Sequence, residues 1–164
     1  MFKVIQFNLI TLLVFSALSS CVSSRQILEK PEPRIESFTN NLDKDSNYVL
    51  ANEWMVETFN DAESVIQFTD KESGTVKGKY LIREGFTSTS PYIASIEPKY
   101  AIITIRVKDN SCRIEIDPPG GEFYSQKSMG EEIGFTPRMF ETEADGLIVN
   151  FRERMTSKSM SSDW

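Results

Sequence analysis

Residues 99–117, KYAIITIRVKDNSCRIEID, read as two antiparallel strands around a tight turn. Ala101, Ile103, Ile105 and Val107 fall on one side of the first strand, and Cys112, Ile114 and Ile116 on one side of the second. Apolar residues at every second position, many of them β-branched, mark a strand with one buried face. Asp109-Asn110 makes the turn, because asparagine tolerates the left-handed backbone region that a two-residue connection demands. Pro118-Pro119-Gly120-Gly121 then stops the second strand.

The same period extends upstream. Thr75–Arg83 alternates Val76, Gly78, Tyr80 and Ile82 against Lys77, Lys79 and Leu81. Ser64–Asp70 places Ile66 and Phe68 on one face, and Asp70–Gly74 is a hairpin loop in which Gly74 is free to take positive φ. Arg34–Thr39, with Ile35 followed by Phe38, is a further short strand. Two helices complete the set. Asp45 caps one over Ser46–Phe59, where Tyr48, Val49, Leu50, Trp54, Met55 and Phe59 recur at three- and four-residue spacing. The other opens at Thr136-Pro137, a cap followed by proline at the first helical position, and carries Phe140, Ala144, Leu147, Ile148, Phe151 and Met155 as one stripe. The order β-α-β-β-β-β-α predicts an α+β domain over 34–158: one antiparallel sheet with both helices on its apolar face. Residues 22–33, containing Lys30-Pro31-Glu32-Pro33, read as a polar tether after Cys21, residues 84–98 and 120–135 as long loops, and 159–164 as a tail.

Ala51-Asn52-Glu53-Trp54 through Phe59, Ser64-Val65-Ile66-Gln67-Phe68, Lys71-Glu72-Ser73-Gly74-Thr75-Val76-Lys77-Gly78, and Ile105-Arg106-Val107-Lys108-Asp109-Asn110 through Arg113 lie in an order that resembles the domain-of-unknown-function 4468 family. The resemblance covers roughly 34–117; Asn110, where glycine is expected, and the long loop after Glu84 depart from it. It implies a TBP-like (TATA-binding-protein-like) fold and a secreted or lipid-anchored bacterial protein. It implies no activity and lends no catalytic residue. The fold's name does not carry DNA binding with it, because fold does not settle function.

The N-terminus gives an address. Lys3 is followed by an apolar run from Leu9 to Leu18 and then by Leu18-Ser19-Ser20-Cys21. That run is shorter than the ~20 residues that span a bilayer and suits the apolar part of a signal peptide. The pattern resembles a bacterial lipoprotein signal, which implies cleavage after residue 20 and acyl chains on Cys21 that anchor the protein to a membrane. Ordinary secretion, with a cut after Ala17-Leu18-Ser19, is the alternative. Val22 and Ser23, with no aspartate after the cysteine, favour sorting to the outer membrane. If Cys21 is acylated, Cys112 is left as a single buried thiol; if not, the two could pair in an oxidising compartment.

Composition limits the chemistry. The chain has 24 acidic against 18 basic residues, a net charge of −6, and loss of residues 1–20 makes it one unit more acidic. Nucleic acid is not an expected partner, since phosphate contacts need clustered cations. Histidine is absent, which removes Ser-His-Asp and Cys-His catalysis and any histidine-ligated metal. Asp43-Lys44-Asp45-Ser46-Asn47 imitates the start of an EF-hand loop, but Tyr48 stands where glycine is required and Trp54 where a bidentate glutamate belongs. No metal or cofactor is expected. Glu131, Glu132, Glu141, Glu143 and Asp145 are the carboxylates that an envelope hydrolase acting on carbohydrate or cell-wall polymer would draw on.

One pattern stands out from this background. Lys77 and Lys79 share a face of one strand, Arg106 and Lys108 that of another, and Arg113 falls on the polar face of the next. An acidic protein thus gathers cations on its open sheet, with Glu115 and Asp117 as cross-strand partners. Solvation and protection of strand edges account for such a face; docking of an envelope protein or glycan is the functional alternative. The sequence reading is a non-catalytic, lipid-anchored binding or assembly module. Its candidate surface is Lys77, Lys79, Arg106, Lys108 and Arg113, with Phe86 and Tyr92 from the long loop.

Overall fold

The computed structural model describes residues 25–59, 66–89, 95–128 and 131–157. The leader 1–20, Cys21, Tyr92 and the tail 159–164 lie outside them. Eight strands and two helices follow in the order β1 (Arg25–Leu28), β2 (Arg34–Thr39), α1 (Lys44–Thr58), β3 (Ile66–Asp70), β4 (Thr75–Arg83), β5 (Lys99–Lys108), β6 (Ser111–Asp117), β7 (Phe123–Ser128), β8 (Glu131–Phe135) and α2 (Pro137–Thr156).

The expected β-α-β-β-β-β-α frame is present as a five-stranded antiparallel sheet of order β2-β6-β5-β4-β3 with two helices. Val76, Ala101, Ile103, Ile105, Val107, Cys112, Ile114 and Ile116 are buried on one face. Helix α1 packs on β4, β5 and β6, and α2 on β2 and β6, so both helices cover that face. Asn110 closes the β5–β6 turn at φ 57°, the left-handed conformation that asparagine accepts with little cost. Gly74 is also obligatory: it sits at φ 65°, and a Cβ there would lie 2.3 Å from the Val107 carbonyl oxygen.

Four expectations need correction. Residues 22–33 are not wholly a tether, because Arg25–Leu28 forms β1 and pairs with β7, while β7 pairs with β8 in a second, three-stranded sheet. Second, Phe123–Ser128 and Glu131–Phe135 are strands, where a long loop over 120–135 was expected. They carry Phe123 and Phe135, buried with ring centroids 5.0 Å apart, and Phe123 also meets Phe140 edge-on. The arginine at the end of β4 links the two sheets: Arg83 donates to the Gly134 carbonyl and its guanidinium lies 5.8 Å from the Phe135 ring centre.

The third correction concerns β3. A register shift between Ile66 and Phe68 sets Ile66 opposite Gly78 on the core side and Phe68 opposite Lys77 on the outer side, where it is 52% exposed. Strand β2 turns Ile35 outward and Arg34, Glu36 and Phe38 toward α2. Arg34 forms a two-pronged ion pair with Asp145 at 2.8 and 3.0 Å, Arg152 donates to Glu36, and Phe38 meets Phe151 edge-on. These ion pairs are half-exposed and stabilise by at most about 1 kcal/mol each, so their effect is to orient α2 on β2. Fourth, Asp43 caps α1, accepting from the Ser46 amide at 2.7 Å, and that hydrogen bond holds its carboxyl below the usual range. Asp45 sits in the first turn instead and pairs with Lys71 at 3.1 Å. The stretch that imitates an EF-hand is used up in starting a helix.

Inside the layer, Trp54 of α1 joins the helices. Its ring lies 4.9 Å from that of Phe151, and its indole N–H donates to Asn150 Oδ1 at 2.6 Å. Thr136 caps α2 by accepting from the Met139 amide, with Pro137 following as expected. No helix among the described residues is long and apolar enough to cross a membrane.

Candidate functional site

Antiparallel register lines up the outward side chains of the large sheet in rows. One row runs Phe68, Lys77, Thr104, Glu115, Ile35 across β3, β4, β5, β6 and β2. The next runs Asp70, Thr75, Arg106, Arg113, Ser37, and a third Lys108, Ser111, Thr39. On the other side of the first row come Lys79, Ile102 and Asp117, then Leu81 and Tyr100. The five candidate cations thus share one face, because each occupies an outward position of an alternating strand.

They divide into two groups. Arg106, Lys108 and Arg113 line one cleft of about 450 Å³, together with Ser37, Ser73, Ser111 and Val107. Arg106 and Arg113 stand directly opposite each other across β5 and β6, an arrangement that like charges disfavour. A single oxygen, Glu115 Oε2, lies 3.4 Å from each guanidinium. Lys77 and Lys79 lie one and two rows away, and the Lys79 ammonium sits 4.3 Å above the Tyr100 ring centre in a cation–π contact.

Phe86 does not join them. It bridges Ile96 beyond the Arg83 end of β4, whereas the cleft is at the Thr75 end. Tyr92 is among the residues not described. The face gains instead a set of apolar side chains that the expectation omitted: Ile35, Phe68, Leu81 and Tyr100 are all exposed there. The signal for Tyr100 and Leu81 was in the alternation itself, since each is in phase with the cations of its own strand. Phe68 was misplaced by the β3 register shift. Ser37 and Ser73 come from separate elements, which no local pattern joins to Arg106.

Cys112, Asp145 and Glu143 are engaged structurally. Cys112 is buried beneath the sheet, and burial pushes its thiol up to about 11, so it stays protonated at neutral pH. Asp145 is tied to Arg34, and Glu143 accepts from the Tyr80 hydroxyl at 3.1 Å. Among the described residues, no three acidic or cysteine side chains gather as a metal site would require.

Comparison with curated proteins gives no match. Among solved structures, the chain is similar to a DUF4468 family protein from Bacteroides ovatus, at 15% identity over 82% of this chain and 92% of that one, with a TM-score of 0.49. It is also similar to a TBP-like protein from Parabacteroides distasonis, at 9% identity over 77% of this chain and 94% of the other, with a TM-score of 0.48. The family described as "Domain of unknown function (DUF4468) with TBP-like fold" matches residues 37–119, which run from β2 to the end of β6. The chain belongs to the DUF4468 family, domains of unknown function with a TBP-like fold.

Proposed function

We propose that this protein is a non-catalytic binding module of the bacterial cell envelope, lipid-anchored at Cys21, that receives an acidic protein partner on the open face of its large sheet. The observation that carries this reading is the mixture on that face. Lys77, Lys79, Arg106, Lys108 and Arg113 are interleaved with exposed Ile35, Phe68, Leu81 and Tyr100. Cations alone would suit any polyanion. Aromatic and aliphatic side chains among arginines are the composition of protein interfaces, where apolar anchors supply affinity and charge supplies orientation and encounter rate. The net charge of −6 makes the patch stand out locally, and repels acidic partners from the rest of the surface.

The anchor adds a geometric constraint. Only Val22, Ser23 and Ser24 separate Cys21 from β1, so an extended connection reaches at most about 14 Å. A lipid on Cys21 therefore holds the domain by its second sheet, close against the membrane. Mass spectrometry of the envelope protein should find the mature chain starting at Cys21 with added acyl mass. A mature start beyond that residue, with the protein free in the medium, would remove the anchor from this reading.

Changing Lys77, Lys79 and Arg106 to glutamate together tests the face. These side chains lie on the solvent side of the sheet, where single charge changes shift stability by about 0.5 kcal/mol or less, so thermal unfolding should move little. Crosslinked partners recovered with the wild-type protein should be lost, and their capture by the wild type should weaken as salt rises. An unchanged set of partners from the triple variant would dispose of the face.

A further inference from the structure

We propose that the cleft lined by Arg106, Lys108 and Arg113 is a binding site for a phosphate monoester, an inference that rests on the open face being the binding surface and narrows what it takes. Three observations converge. The first is unspent donor capacity. Arg106 and Arg113 are 55% and 47% exposed and share one Glu115 oxygen at 3.4 Å, longer than a charge-assisted hydrogen bond of about 2.7–2.9 Å. Each guanidinium carries five N–H donors, and its contact with Glu115 uses one of them, at an arginine that lines the cleft. Lys108 has no ion-pair partner among the described residues. It follows Arg106 on the same face of β5, and Ser111 stands opposite it.

The second observation is the charge. Three cations against Glu115 leave two positive charges in excess within the cleft, on a chain whose net charge is −6. Asp70, in the row of Arg106 and Arg113, is turned onto the Glu72 and Ser73 amides at 2.9 and 3.3 Å. A phosphate monoester is close to a dianion above a second pKa of about 6, whereas a sulfate ester or a single carboxylate carries one charge. The dianion is the better match. It also relieves the repulsion between the opposed guanidiniums, which folding alone gives no reason to build.

The third is shape. Ser37 and Ser111 place hydroxyls from β2 and β6 beside the cations, with no hydrogen-bond partner of their own among the described residues. Ser73 forms a wall, its hydroxyl held on Thr75 Oγ1 at 2.9 Å. The lining thus carries donors on β2, β5 and β6 for the three terminal oxygens of a phosphoryl group. At about 450 Å³ the cleft is far larger than one oxyanion and falls in the range of small-ligand sites, so the phosphoryl group is the head of a larger molecule.

Isothermal titration of the full chain in detergent, at constant ionic strength, tests this with phenyl phosphate, phenyl sulfate and inorganic phosphate. Phenyl phosphate should bind saturably, about tenfold or more tighter than phenyl sulfate, a difference of about 1.4 kcal/mol. Arg113→Gln should weaken it by about tenfold or more, as should Arg106→Gln, from the loss of one charge-assisted contact. Arg138→Gln, which removes a charge from α2 at a distance from the cleft, should not. Inorganic phosphate binding as well as phenyl phosphate would overturn the ester and leave a simple anion site. No saturable binding, or equal binding by all three probes, would overturn the proposal outright. Loss of partner capture in the triple glutamate variant, with no phenyl phosphate binding to the wild type, would sink this inference alone and keep the protein-docking face.

Discussion

Replacing Phe151 with alanine should cost the fold about 3–5 kcal/mol, the range for removing a buried aromatic ring and leaving a cavity. The size follows from where the ring sits. Phe151 is fully buried on α2, 5.7 Å from Phe38 of β2 and 4.9 Å from Trp54 of α1, edge-on to both. It is therefore the common contact of sheet and both helices. Each aromatic pair adds about 0.5–1.5 kcal/mol beyond burial. A domain of this size has about 5–15 kcal/mol of stability in all. Urea unfolding should show the midpoint falling sharply at an unchanged slope. Phe151→Leu, which keeps much of the volume and loses the ring pairs, should cost distinctly less. A loss below about 1 kcal/mol for the alanine variant would mean that the helices are not held together through this ring.

The second large effect belongs to a polar residue. Asn47 is completely buried on the inner face of α1. Its amide nitrogen lies within hydrogen-bonding distance of the carbonyls of Lys108 and Leu42 and of Asn40 Oδ1, at 3.0, 3.3 and 3.3 Å, and its Oδ1 accepts from Asn40 Nδ2 at 2.7 Å. Asn40 continues the network to the Met155 carbonyl at 3.2 Å, so one pair of side chains ties together the end of β2, the start of α1, the end of β5 and the end of α2. Asn47→Leu preserves size and leaves the Lys108 carbonyl and the Asn40 amide short of partners, which costs about 1–3 kcal/mol for each buried group. A total of about 2–4 kcal/mol is expected. Asn47→Asp should be worse at neutral pH, since a carboxylate donates nothing and faces two carbonyl oxygens. Thermal unfolding of the two variants checks the order. If the aspartate variant were the more stable, the amide would not be donating to those carbonyls.

Legibility differed between parts of the chain for identifiable reasons. The β5–β6 hairpin was readable because one face is buried and the other is not, which writes a period of two into nineteen consecutive residues. Both helices were readable from their stripes, and α2 also from Thr136-Pro137. Strands β1, β7 and β8 were not. RQIL, FYSQKS and EEIGF are four to six residues long and carry no sustained alternation, and they are strands because they pair with one another. Asn47 escaped notice because a polar residue within a helical stripe reads as solvent-facing; only its hydrogen bonds to Asn40, Leu42 and Lys108 make it an interior residue.

Local patterning specified the frame of the large sheet, the two helices that cover one face of it, and the gathering of five cations on the other. Alternation and helical spacing are local properties, so they survive in a linear reading. Pairing between distant segments decided that Arg106 faces Arg113 beside hydroxyls from β2, β6 and the β3–β4 turn, that Phe68 points away from the core, and that Arg25–Leu28 is a strand. Each of these depends on register or on pairing between distant segments. A one-residue slip in register reverses the face of every side chain that follows it, and no stretch of chain specifies its own partner.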